Sequence, residues 1–327
     1  MREIRAVVTR HLITGALIFL PRSRRYAIER RLRGKEEYRK LQSADWVLIS
    51  WGKSGRTWFR VMLSRFYQLK HGLPMRHLLE FDNLHKMKPA VPRVLFSHNN
   101  YLRAYLEDWD SLNHFSGKKV VMLVRDPRDV AVSQFFQWKY RMRPHKIRLN
   151  QYPARGEAVS TFEFVTNPVC GVPRIVEFFN GWAKALPELK DILIIRYEDM
   201  RVDPVAVMQQ VLDFVGTPGT PEQIEQAVEF ASLDNMKKLE EKRVFWGSGA
   251  RVKAGDRKNP DSFKVRRGKV GGYRDYFDDQ QVELIDKLVA EGLDPVFGYR
   301  TGNNTDDTRA DAVPIVEQTG TTAQNRP

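Results

Sequence analysis

Short apolar runs alternate with longer stretches of helical periodicity along most of the chain. Residues 46–51 (WVLISW) form one such run; a turn, Gly52-Lys53-Ser54-Gly55, follows. Trp58, Val61, Met62, Arg65 and Phe66 then recur at helical spacing until Gly72. The pattern predicts a buried strand, a tight turn and an amphipathic helix. A second strand is expected over 94–97, with His98 just past its end, and a third over 120–125 (VVMLVR). Asp126-Pro127 closes that strand, and Pro127 suits the first position of a helix carrying Val130, Ser133, Phe136 and Trp138. A fourth strand is expected over 192–196, ahead of Tyr197-Glu198-Asp199-Met200. Further helices are expected over 22–45, most of 162–185, three stretches between 204 and 241, and 279–291. Residues 141–156 and 243–275 read as loops, the second long enough to be functional. The last stretch, 302–327, is polar and aperiodic and reads as a disordered tail.

Short strands alternating with helices imply an α/β fold: a single domain whose mostly parallel central sheet is flanked by helices. Such sheets bind ligands outside the carboxyl ends of their strands. Lys53, His98, Arg125 and Tyr197 all fall there. The opening strand–turn–helix is P-loop-like and suited to an anion. A helix start offers N–H groups and partial positive charge. Gly52 and Gly55 let the backbone approach closely, Lys53 adds a full charge, and Ser54 and Thr57 add hydroxyls. It is not the common ATP loop, G-x-x-x-x-G-K-[ST], whose first glycine position is held here by Val47.

The apolar share, 42% of 327 residues, supports a real core, and the net charge of +14 favours an anionic ligand or surface. Residues 1–40 hold twelve Lys/Arg against four Asp/Glu, and residues 251–274 hold nine against two. Cys170 is the lone cysteine, which excludes an intrachain disulfide and suits a reducing compartment. The apolar run 12–20 is too short to span a bilayer and is followed by Pro21-Arg22-Ser23-Arg24-Arg25 in place of a cleavage site. With arginines on both sides it suits either a membrane-surface helix or a helix packed on the core. The expected domains are a basic helical extension (1–44), a catalytic domain (45–300) and the tail (301–327).

The order K-S-G-x-T-W after a strand resembles the loop of PAPS-dependent, cytosolic-type sulfotransferases. That loop holds the 5′-phosphosulfate of 3′-phosphoadenosine 5′-phosphosulfate (PAPS). The resemblance implies Lys53, Ser54, Gly55, Arg56 and Thr57 as donor contacts, with Arg56 where the family usually has Thr. Trp58 matches an aromatic that stacks on adenine. The segment 124–133 (VRDPRDVAVS) resembles the family's 3′-phosphate site, which implies Arg125 and Ser133. Residues 266–273 (RRGKVGGY) resemble the R-K-G-x-x-G-D-W lid and imply Arg266, Arg267 and Gly268. There Arg267 replaces Lys, Gly272 replaces Asp and Tyr273 replaces Trp. Tyr197 falls in the [R/F]-Y-E-D-[M/L] motif beside adenine. Residues 231–236, with Ser232 and Leu233, match T-S-F-x-x-M in part, and Leu233 stands where an aromatic packs. The resemblance spans about residues 45–295.

Ser97-His98 falls on the family's [S/T]-H pair, which implies His98 as general base and Lys53 as the cation on the bridging oxygen. The implied activity is in-line sulfuryl transfer from PAPS to a hydroxyl or amine, releasing PAP without a metal. Competing readings are a Mg-ATP-dependent phosphotransferase and a basic nucleic-acid- or membrane-surface-binding protein. No nucleic-acid-binding motif is evident, and aromatics are not interleaved with the basic arm, so no nucleic-acid partner is expected. The expected acceptor is a small-molecule, lipid or glycan hydroxyl. The expected location is cytoplasmic, with peripheral membrane contact through residues 1–40. Aromatics near the expected acceptor loops (Phe81, Tyr140, Phe162, Phe164) suit either an apolar acceptor or the core.

Overall fold

The computed structural model describes residues 13, 15, 17–108, 112–242, 244–245, 255–256 and 258–300. Four strands, β1 (Trp46–Ser50), β2 (Val94–Ser97), β3 (Lys119–Val124) and β4 (Ile192–Arg196), form one sheet in the order β2-β1-β3-β4. Every pairing is parallel. Ile49 lies opposite Ser97 and Met122, and Val124 opposite Arg196. The carboxyl ends therefore open side by side on one edge, about 5 Å apart from strand to strand.

The sheet is buried on both faces, which is why its strands read as continuous apolar runs. Val47, Ile49, Val120, Met122 and Val124 join one core cluster, with Phe178, Phe179 and Trp182 of the helix Val172–Ala185. Trp46, Leu48, Val121, Leu123 and Ile195 join the other, with Phe59, Met62 and Phe66 of the helix Arg56–His71. Period-2 alternation within each strand sends successive residues to opposite clusters.

The N-terminal helix, Arg22–Ser43, crosses the helix Asn100–Leu106. A Cβ on Gly34 would lie 2.1 Å from the Tyr101 carbonyl oxygen. Glycine is what allows the two backbones to approach so closely. The segment 141–156, expected to be loop throughout, carries the helix Pro144–Leu149, with Pro144 in its first turn. The helices Asn83–Met87 and Asn100–Leu106 were likewise not expected. Within the apolar run 12–20, Ile18 and Phe19 are exposed (63% and 94%). Among the described residues, no helix is long and apolar enough to cross a membrane. The expected tail, the run 246–254 and most of residues 1–16 lie outside the described residues.

Gly34→Ala sets two effects against each other. Helix propensity favours Ala by about 1 kcal/mol, while overpacking costs roughly 1–3 kcal/mol. At 2.1 Å from a backbone atom the clash wins, so the urea midpoint falls. A raised midpoint would show that the two helices do not meet at this glycine.

Candidate active site

The turn after β1 is shaped by two residues with positive φ, Lys53 (75°) and Gly55 (98°). A Cβ on Gly55 would sit 2.6 Å from Tyr197 Cδ2, so a side chain there would strike that ring as well as strain the backbone. Ser54 is buried, its hydroxyl has no hydrogen-bond partner, and it does not line the cavity that the turn borders.

Arg125, at the end of β3, reaches across the same turn. Its guanidinium donates to the Lys53 and Lys269 carbonyls (both 3.3 Å), pairs with Asp129 (3.4 Å) and lies over the Tyr197 ring (4.3 Å). Its Nε is buried without a hydrogen-bond partner. Tyr197 meets Trp58 edge-on (5.9 Å), and Trp58 Nε1 donates to the Ala231 carbonyl (2.8 Å). Arg266 lies 3.4 Å over the Phe136 ring and donates to the Tyr276 hydroxyl. These groups surround a cavity of about 380 Å³. Lys53, Gly55, Arg56, Thr57, Ser133, Leu233, Arg267 and Gly268 also line it. Arg267 is half exposed and paired with Asp275 (2.5 Å). Ser232 is exposed and does not line the cavity.

Two buried acids that sequence reasoning did not single out as site residues hold this arrangement. Asp129 accepts from the Gly271 and Tyr273 N–H groups (3.0 and 2.9 Å) besides pairing with Arg125. Glu240 accepts from the Lys264 and Val265 N–H groups (2.7 and 3.0 Å) and pairs with Arg141 (2.9 Å). Each acid thus ties a cation to the segment 264–273 that covers the cavity. Tyr273, where the resembled motif has Trp, is fully buried and donates to Asp286 (2.6 Å), so the aromatic packing survives the replacement.

His98 stands at the end of β2. Its Nδ1 lies 2.6 Å from the Ser50 carbonyl, so Nδ1 carries the hydrogen and Nε2 the lone pair. Nε2 faces Arg56 Nη2 at 2.5 Å, and Arg56 Nη1 donates to the Ser97 carbonyl (3.0 Å). Burial, and then the Arg56 charge, hold the imidazole well below its ordinary pKa. Glu37, from the N-terminal helix, accepts from the Ser97 hydroxyl; burial raises its pKa against that hydrogen bond. Beyond His98 lies a second cavity, about 390 Å³. Trp51, Gly52, His98 and Gln134 line both. The imidazole therefore sits where the two chambers meet. Phe81, Tyr140, Phe162 and Phe164 all pack with the core and line neither chamber.

The sulfotransferase domain family model matches residues 43–296. The chain belongs to this family. It is 25% identical over 274 residues to flavonol 3-sulfotransferase of Flaveria bidentis, covering 79% of this chain and 84% of the relative. With sulfotransferase 2A1 of Rattus norvegicus the identity is 27% over 276 residues, covering 77% and 86%. Among solved structures, the fold is similar to mouse sulfotransferase SULT7A1 complexed with PAP. The TM-score is 0.51 at 20% identity, with 79% of this chain and 89% of that one covered. It is also similar to retinol dehydratase in complex with retinol and PAP, with TM-score 0.50, 18% identity, and 75% and 80% covered.

In this sulfotransferase the cations crowd. Burial, followed by the charges of Arg141, Arg125 and Arg266, brings the Lys53 pKa down to about 7. Burial and Lys53 also hold Lys264 well below its ordinary value. Unfolded Lys53 binds a proton up to about pH 10.5 and the folded form only up to about 7. The Lys53 ammonium therefore weakens the fold fully below pH 7, and that penalty fades as pH rises toward 10.5. In carbon-labelled protein, one lysine Cε resonance should titrate near pH 7 and be missing in Lys53→Arg. Lysine resonances that all titrate above pH 10 would contradict this electrostatic picture.

Proposed function

We propose that this sulfotransferase moves the sulfuryl group of PAPS to a hydroxyl or amine acceptor, with His98 as general base, and releases PAP. The observation that carries the reading is the position of His98 in the lining of two chambers, one rich in cations, that share only Trp51, Gly52, His98 and Gln134. The orphan donor Arg125 Nε fits a phosphate-bearing ligand, since a buried donor without a partner costs free energy that an anion would recover.

The roles are proposed from the family resemblance, and for all of these residues but Ser54 and Ser232 the lining of the cavity supports them. Lys53, Ser54, Arg56 and Thr57 hold the 5′-phosphosulfate, and Lys53 neutralises charge gathering on the bridging oxygen. Arg125, Ser133, Arg266, Arg267 and Gly268 hold the 3′-phosphate. Trp58, Tyr197 and Leu233 bound the adenine, and Ser232 stands at the rim. The acceptor oxygen bonds to sulfur as the bond to the phosphate oxygen breaks, and His98 Nε2 takes the acceptor proton. The Ser50 carbonyl fixes the tautomer this step needs. Arg56 must leave Nε2 first, and the incoming donor phosphate supplies its new partner.

Residues 45–300 would form the catalytic domain, with 1–44 a basic helical extension and 301–327 a tail. Relatives are named cytosolic sulfotransferases, and we place this protein in the cytoplasm. Exposed Ile18 and Phe19 beside Arg22, Arg24 and Arg25 support peripheral membrane contact.

His98→Ala should leave PAP affinity intact and lower kcat by roughly 10²–10⁴; unchanged turnover would remove His98 from the chemistry. Arg125→Ala should weaken PAP binding in calorimetry by about 1.5–3 kcal/mol. Equal affinity would refute the 3′-phosphate assignment. Because the folded imidazole titrates well below 6.5, kcat/KM should stay level as pH falls past 6.5. Arg56→Thr removes a cation that disfavours the imidazolium, so the acid limb should move to higher pH; a limb shifted to lower pH would contradict the assigned coupling.

A further inference from the structure

The second chamber differs in chemistry from what the aromatic residues of the sequence suggest. Arg30, Arg103 and Arg174 line it against a single carboxylate, Glu177. Arg174 pairs with Glu177 at the mouth (2.5 Å), where both side chains are substantially exposed. Arg30 donates one bond to the Leu149 carbonyl (3.1 Å). Burial, and behind an opposing effect of Tyr101 the charge of Arg174, hold the Arg30 pKa below its ordinary value. Arg30 and Arg174 thus line the same chamber, and the charge of one disfavours that of the other.

Two neutral groups lining the chamber also carry unsatisfied donors. Asn99 is 1% exposed; its Oδ1 accepts from His114 Nε2 (3.3 Å), while its Nδ2 has no hydrogen-bond partner. Trp51 Nε1 is likewise buried and unpaired. An apolar alcohol would leave both donors unsatisfied, at a cost of about 1–3 kcal/mol each. Oxygen-rich ligands satisfy them, and an anion also relieves the repulsion among the guanidiniums.

We infer that the acceptor of this enzyme is a polar hydroxyl compound that carries its own anionic group, a carboxylate or phosphate, seated on Arg30, Arg103 and Arg174 with its hydroxyl toward His98. The inference rests on the reading of the first chamber as the donor site. It departs from the flavonol for which one relative is named and the retinol bound in one fold neighbour. The anion could belong to a free sugar derivative or to a lipid headgroup; the recognising chemistry is the same.

The test uses the full chain saturated with PAP, which occupies the donor chamber and keeps anions out of it. Calorimetry then compares pairs that differ in charge: methyl glucuronide against methyl glucoside, glucose 6-phosphate against glucose, and vesicles of phosphatidylglycerol against vesicles of a neutral glycolipid. A retinol-like apolar alcohol is the outlier. In at least one pair the anionic member should bind about ten- to hundredfold tighter than its neutral partner. That advantage should vanish in Arg103→Gln/Arg174→Gln, while PAP affinity stays within about twofold and reports an intact fold. Preference for a soluble pair or for vesicles then identifies the source of the anion. Binding indifferent to charge in all three pairs, or tightest for the apolar alcohol, would overturn the inference and leave the donor reading standing. Failure to bind PAP at all would take both down.

Discussion

Like charges held together at one edge of a parallel sheet are the constraint on which this molecule depends. Lys53, Arg125, Arg141, Lys264 and Arg266 converge where the strands end, close enough that burial and then their charges hold both lysines below their ordinary pKa. Burial strengthens their repulsion by lowering the local dielectric. Two acids offset part of it. Asp129 and Glu240 are each shared between a guanidinium and two backbone N–H groups of the segment that covers the crevice. The same carboxylates therefore keep the cations in place and the cover closed. What remains is an excess of positive charge and the orphan Arg125 Nε, which suit the anionic nucleotide proposed to bind there. Stability and ligand choice are set by one electrostatic arrangement.

The second consequence concerns the imidazole. In-line transfer needs donor and acceptor on opposite sides of the reacting atom. In the order β2-β1-β3-β4, His98 past the end of β2 is one strand removed from the turn after β1 and two from Arg125. Arg56 links the two halves by touching both the Ser97 carbonyl and Nε2. From the start of the helix after the turn, the Arg56 side chain is thus long enough to reach the imidazole that we propose as the base.

Much of this was legible in the sequence, and the exceptions have a common cause. The four strands read cleanly because burial on both faces makes them continuous apolar runs. Lys53, His98, Arg125 and Tyr197 stand at strand ends as expected and line one cavity, because strand ends are local features that an apolar run marks. Asp129 and Glu240 were not given their roles because their partners lie far away in sequence, Gly271 and Tyr273 for one, Arg141 and Lys264 for the other. The second chamber was invisible for the same reason. Arg30, Asn99, Arg103 and Arg174 come from three separate segments, and one of these, the N-terminal helix, reads by itself as a solvated basic arm. The helix Asn100–Leu106 was missed because it is short and follows Asn99 in a left-handed conformation, a start that periodicity does not register. Tyr273 shows the opposite case: a motif position altered in sequence keeps its packing because an aromatic ring still fills the site.

The claim that cations at both ends of the crevice grip a nucleotide with two phosphates is tested most directly by comparing dissociation constants for PAP, adenosine 5′-phosphate and adenosine 3′-phosphate in one titration series. Each phosphate removed should weaken binding by about ten- to hundredfold, the value of losing charge-assisted hydrogen bonds worth about 1.5–3 kcal/mol. Equal affinity for PAP and adenosine 5′-phosphate would contradict the account.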